Sequence, residues 1–186
     1  VNFDSDEVKP TFGDYAAELK RQVPELFYGD YIVKTEFGRS IFAKIGFIAS
    51  RIEYTKKSGG PQIALTHAGV QIAARTVFMP DHWKLRLTVH DPAGRQKSGN
   101  EVEQDIAGPC CFAGDMVATR RKLPLIEPGD YVVLHDTGAY YFSNPYYYNS
   151  IPAPAVYAAD RLMDGAVDFS VWRQQQTMEQ MLAVVG

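Results

Sequence analysis

From Pro10 to Phe27 the chain reads PTFGDYAAELKRQVPELF, with Phe12, Tyr15, Ala16, Leu19 and Val23 at helical spacing behind Thr11, whose hydroxyl can cap a first turn. An amphipathic helix is predicted there, after a polar, irregular opening over Val1 to Pro10. Tyr31 to Phe37 then reads as a strand, and a small-residue apolar run through Ile41, Ala43, Ile45 and Phe47 leads into a second one over Ile48 to Tyr54. A helix followed by a strand whose end carries polar groups is what an α/β barrel supplies. Beyond Lys57 the texture changes to short strands punctuated by Gly, Pro and Asp: Gln62 to Thr66, Trp83 to Val89, Glu101 to Ile106, Asp130 to His135 and Ala155 to Ala159. Val167, Phe169 and Val171 alternate within a further strand over Gly165 to Trp172, and Gln174 to Val185 reads as a closing helix. The predicted fold is mainly β, a β-barrel or sandwich preceded by the last helix and strand of an α/β barrel of TIM type. The boundary is expected within Ser40 to Ile52, dividing the chain into residues 1–45 and 46–186.

At 186 residues the chain is long enough to bury roughly 70% of its unfolded surface. No apolar run approaches the roughly 18 residues of a membrane span. The net charge of −3 comes without a basic block, so neither a membrane nor nucleic acid is indicated as a partner. No N-terminal stretch resembles a secretory signal and no cysteine framework is present, which favours a reducing, cytoplasmic setting. The chain opens on Val1 rather than methionine, and a missing beginning is expected.

Both cysteines lie together in GPCCFAGD, Gly108 to Asp115, where Gly-Pro and Gly-Asp mark a tight turn. Adjacent Cα atoms stand about 3.8 Å apart, closer than the roughly 4.4 to 6.8 Å of a relaxed disulfide, so at least one thiol is expected to be free. Alone, the pair also reads as two small buried hydrophobes. In EFGR, Glu36 offers a carboxylate, Gly38 permits close backbone approach and Arg39 presents a planar fork to an oxyanion, although such a tetrapeptide alone is more often an exposed strand-end ion pair. HAGVQIAARTVFMPDHW sets Arg75 among apolar residues, where it could bind a carboxylate; the four histidines and two cysteines have no zinc-type spacing. In the stretch from Asp136 to Tyr148, Gly138 leaves backbone amides room to face an anion and Tyr140 adds a hydroxyl, while the tyrosines that follow suit packing as well as binding.

These segments, in this order, resemble the fold-type III pyridoxal-phosphate decarboxylases, the diaminopimelate and ornithine decarboxylase family, from about Thr11 to the final helix. EFGR resembles that family's EPGR, HAGVQIAAR its DAGMND segment ending in arginine, and GPCCFAGD its GPxCESGD. GDYVVLHDTGAY resembles GDxxxxxDAGAY, and YNSIPAPAVY resembles YNSRPRPAEV. The resemblance implies pyridoxal 5'-phosphate as cofactor, an amino acid as small-molecule substrate and a homodimer with shared active sites. It places Glu36 on the pyridine nitrogen, Arg39, Gly38 and Tyr140 on the phosphate, and Cys111, reaching across to the other subunit, as donor of a proton to a quinonoid carbon. An apolar setting beside Phe112 is expected to raise the pKa of that thiol.

Arg75, Phe112 and Asp81 are the implied substrate contacts. Phe112 stands where the family carries an acid for the substrate's distal amine, so neither diaminopimelate nor ornithine is expected unless another acid such as Asp81 substitutes. Met79, Phe37 and the histidine of HAG also depart from the pattern. The Schiff-base lysine of the family is expected upstream, so this chain alone is expected to be inactive. The implied function is the C-terminal part of a decarboxylase, with a catalytically inactive homologue that binds or regulates as the alternative.

Overall fold

The computed structural model describes residues 10–57 and 59–186, so the polar opening expected before Pro10 lies outside the described residues. Helix α1 spans Phe12–Gln22 and begins with a reciprocal cap. The Thr11 hydroxyl accepts from the Asp14 amide at 3.2 Å, and the Asp14 carboxylate accepts from the Thr11 amide at 2.7 Å. None of its residues is buried; Phe12 and Tyr15 lie instead against the ring of Phe37, at centroid distances of 5.3 and 5.4 Å. After the single turn α2 (Glu25–Tyr28), the strand expected over Tyr31 to Phe37 is not formed. A strand is held by the hydrogen bonds of a neighbour, and no described strand pairs with this segment. It leads into α3 (Gly38–Phe42) and a 3-10 turn over Ala43–Ile45.

Eight strands follow: β1 (Phe47–Lys56), β2 (Gln62–Thr66), β3 (Leu87–His90), β4 (Glu101–Ala107), β5 (Met116–Pro124), β6 (Tyr131–His135), β7 (Val156–Arg161) and β8 (Val167–Arg173). Helix α4 (Val70–Phe78) lies between β2 and β3, and α5 (Met178–Val185) closes the chain. The first six strands form one sheet in the order β3-β6-β1-β2-β4-β5. Every pairing is antiparallel except β2 with β4. The sheet curls until its two edges nearly meet: Arg121 on β5 donates to the carbonyl of Leu85, just before β3, at 3.0 Å. The expected mainly β, barrel-like architecture is therefore what the chain adopts.

Its interior follows from strand alternation. Val132 and Leu134 on β6, and Ile52 on β1, point inward and are fully buried with Ile106 and Ile126. Burial of each such side chain contributes roughly 1.5–3 kcal/mol. Gln104 is among the polar side chains buried with this core. The Gln104 amide accepts from the Ile126 amide at 2.9 Å and donates to the carbonyls of Leu123 and Pro124 at 3.2 and 3.0 Å, so it is buried without loss of hydrogen bonds.

Strands β7 and β8 make a separate hairpin. Phe169, Val171 and Trp172 stay exposed on it, because a two-stranded ribbon cannot cover its own faces. Thr177 caps α5 in a second reciprocal box with Gln180. No helix among the described residues is long and apolar enough to cross a membrane.

Candidate functional site

The turn after β6 is latched to the segment between α3 and β1. Asp136, almost fully buried, accepts from Lys44 Nζ at 3.0 Å and from Arg86 Nη2 at 3.3 Å. The Thr137 amide donates to the Gly46 carbonyl at 2.9 Å, and the Gly138 amide to the Ala43 carbonyl at 3.1 Å. The two backbones approach so closely that a Cβ at Gly138 would collide with the carbonyl of Phe42. Asp136 and Tyr140 both adopt positive φ, 63° and 69°; such backbone persists only where its surroundings over-determine it.

This latch brings Arg39, from α3, and Tyr140 to the same place. The Arg39 guanidinium lies 4.8 Å from the Trp83 ring, and that of Arg75, from α4, lies 4.6 Å from it. Arg75 also sits 4.2 Å from the Tyr140 ring, and Tyr140 meets Trp83 edge-on at 6.2 Å. The backbone that carries the indole is itself fixed. The Thr76 hydroxyl donates to the Trp83 carbonyl at 2.9 Å, so its oxygen must accept from the buried Tyr141 hydroxyl, also at 2.9 Å. Neither Arg39 nor Arg75 is ion-paired among the described residues. Two guanidiniums spread around one indole form a cationic surface suited to a phosphate or carboxylate.

The thiol loop lies at the other end of α4. Both oxygens of the buried Asp115 carboxylate are used: one accepts from the Val70 amide at 2.6 Å, capping α4, and one from the Cys110 amide at 2.7 Å. Gly69 and Gly108 leave the space this carboxylate fills. Cys110 is buried beside Gln71, and burial, reinforced by Asp115, pushes its thiol up to about 11. Cys111 is exposed, and its amide donates to Asn149 Oδ1 at 2.8 Å. Both thiols are free. The apolar enclosure expected for Cys111 thus belongs to Cys110, because the turn directs consecutive side chains to opposite sides.

Of the residues singled out in the sequence, Arg39, Arg75 and Tyr140 converge, Gly38 opens α3 beside them, and Cys111 with Phe112 occupies the thiol loop. Glu36 is exposed in the unpaired segment before α3, and Asp81 is exposed in the turn after α4. His67 lies 3.3 Å from Glu53 Oε1. The sequence pattern does not mark Trp83, Asp115 or Asp136 as organising groups. Trp83 follows Arg75 by only eight positions, but nothing local announces that an arginine on α3 will reach it. A separate cavity of about 410 Å3 at the root of the β7–β8 hairpin, bordered by Tyr147, Arg173 and Gln180, includes none of these side chains.

Residues 41–138 match the family described as pyridoxal-dependent decarboxylase, C-terminal sheet domain. The diaminopimelate decarboxylase of Pseudomonas aeruginosa is 31% identical over 179 residues, which cover 96% of this chain and 39% of that protein. A crystal structure of a diaminopimelate decarboxylase superposes on all of this chain with a TM-score of 0.83 at 26% identity, using 45% of its own chain. That of the Helicobacter pylori diaminopimelate decarboxylase complexed with L-lysine covers 97% of this chain and 41% of its own, with a TM-score of 0.77 and 26% identity. The chain spans about 40% of the length of the curated relatives it matches.

Proposed function

The chain belongs to the pyridoxal-dependent decarboxylase family through its C-terminal sheet domain, and from that premise we propose that it is the C-terminal part of an amino-acid decarboxylase of the diaminopimelate decarboxylase type. The observation that carries this reading is the convergence of Arg39, Arg75 and Tyr140 on Trp83. Two guanidiniums without a carboxylate partner among the described residues, beside a tyrosine, have the donor chemistry that pyridoxal 5'-phosphate and an amino acid's carboxylate require, so the residues present fit the cofactor. When bound, the cofactor supplies an electron sink for the electron pair left as carbon dioxide departs.

The residues of this chain divide the remaining work. Arg39, the Gly38 amide and the Tyr140 hydroxyl hold the phosphate, and the Asp136 latch keeps Arg39 and Tyr140 together. Glu36 keeps the ring nitrogen protonated. Arg75 receives a substrate carboxylate, with Phe112 near the substrate's far end, while Asp81 stays in solvent in the turn after α4. The exposed Cys111 thiol delivers a proton to the α-carbon of a site on a second subunit, which makes a homodimer with shared sites the working form. Residues 1–45 belong on this reading to the end of an α/β barrel and residues 46–186 to the sheet domain. The exposed apolar hairpin is a surface for the rest of such an enzyme to cover, and its setting is the cytoplasm.

The test is release of labelled carbon dioxide from carboxyl-labelled amino acids by the longer, cofactor-loaded polypeptide that carries this chain. Cys111→Ala should leave cofactor binding intact and slow turnover by about 10² to 10⁴. Cofactor binding with no carbon dioxide from any amino acid would instead identify an inactive homologue.

A further inference from the structure

We propose that Phe112 sets the substrate class, so that the amino acid taken carries an uncharged, apolar or aromatic side chain received on an aromatic wall that travels with Cys111. The inference rests on the decarboxylase reading above. Four rings close a cycle beside the thiol. Phe78 stacks on Phe112 at 6.2 Å and Phe112 meets Tyr148 edge-on at 5.2 Å. Tyr148 lies against Tyr146 at 5.8 Å, and Tyr146 returns edge-on to Phe78 at 5.7 Å.

The wall is fastened to the thiol loop from the same side. The Tyr148 hydroxyl donates to the Cys111 carbonyl at 3.4 Å, and the neighbouring Asn149 accepts from the Cys111 amide. One side of the cluster packs on Val70, Val77 and Cys110. The other remains open, with Phe78 58% and Tyr146 40% exposed and Phe112 half-buried. Apolar ring surface is thereby presented next to the proposed proton donor.

Charge decides what this surface accepts. The single carboxylate of the loop, Asp115, is 2% exposed and both its oxygens are occupied by backbone amides, so it cannot meet a ligand's ammonium group. Attraction of a cation to half-exposed rings is several times weaker than the cost of stripping water from an unpaired ammonium. An apolar side chain meets no such cost and gains by covering the rings. The wall therefore selects against side chains that end in a positive charge.

The experiment uses the longer, cofactor-loaded polypeptide, as wild type, Phe112→Leu and Phe112→Glu, with racemic phenylalanine, leucine and lysine. Carbon dioxide release is one readout; amino-acid binding by titration calorimetry is the other and needs no turnover. Phenylalanine or leucine should exceed lysine by at least about tenfold in kcat/KM and in affinity. Phe112→Leu should keep that order and Phe112→Glu should reverse it. A wild-type preference for lysine, or an order that Phe112→Glu does not move, overturns the inference while decarboxylation stands. Retained binding order without carbon dioxide from any of the three upholds the wall and overturns the decarboxylase reading, whereas binding of none overturns both.

Discussion

One oxygen of the Asp115 carboxylate lies 2.6 Å from the backbone nitrogen of Val70, forty-five residues earlier, and the other lies 2.7 Å from that of Cys110. A single side chain thus caps α4 and shapes the thiol loop. Each buried amide left without an acceptor costs about 1–3 kcal/mol. Asp115→Ala, which orphans two, should lower stability in urea by roughly 3 kcal/mol or more, and Asp115→Asn, which keeps one acceptor, by clearly less. Equal losses in the two variants would mean that packing rather than hydrogen bonding dominates there.

The two thiols should separate kinetically. Cys111 is exposed, whereas Cys110 is buried with its thiol pushed up to about 11. Near pH 8 a thiol of that kind is only about 0.1% thiolate, the form that reacts. Titration of the native protein with a disulfide reagent should show one fast thiol per chain, abolished by Cys111→Ala. Cys110→Ala should leave the fast phase untouched.

Trp83 carries a guanidinium at 4.8 Å and another at 4.6 Å. Each such contact is worth about 0.5–1 kcal/mol at an exposed site, so Trp83→Leu should weaken binding of pyridoxal phosphate by roughly tenfold. Trp83→Phe should recover part of the loss. Absorbance titration of the cofactor measures both, and an unchanged Kd in Trp83→Leu would remove the indole from the anion site.

His135 couples the latch to pH. Its ring nitrogen lies 2.8 Å from the Thr88 hydroxyl. Burial first, then repulsion from Arg86 and, more weakly, from His90 and Lys44, holds its pKa below 6.5 against the opposing pull of Asp136. The unfolded chain therefore binds this proton more tightly than the folded one. The contribution of His135 to stability is complete above pH 6.5 and is lost as pH falls through the lower folded value. His135→Gln should flatten the decline in urea stability between about pH 7 and about pH 5; an identical decline in the variant would assign the slope to other groups.

Elements with strong local patterns could be read directly. The helix behind Thr11 and the strand over Gln62 to Thr66 appear where alternation and capping place them. The alternation does not predict β5, because Arg120, Arg121 and Lys122 interrupt it, although Val117, Ala118 and Leu123 are buried in the core. Helix α4 carries no local start signal, because Gly69 occupies its N-cap and the carboxylate that caps it, Asp115, comes from just before β5. The segment from Tyr31 to Phe37 has strand composition but no neighbour to pair with. In the site, Arg39, Arg75 and Tyr140 could be named from their residue types and setting. The indole joining them could not, since its role depends on contacts between distant segments.

Strands running side by side in the same direction cannot be joined by a tight turn, and β2 reaches β4 only after residues 67–100 have crossed over the sheet. β1 and β2 can pair as a hairpin within microseconds, well before the far side of β2 has its partner. A nascent chain stalled short of β4 would display β2 as a bare edge rich in unpaired amides, the kind of surface on which other chains add strands. The GPCCFAGD loop is thus attached to the joint that also shields the half-made protein from aggregation, and lesions that delay that joint should be felt first as lost soluble yield.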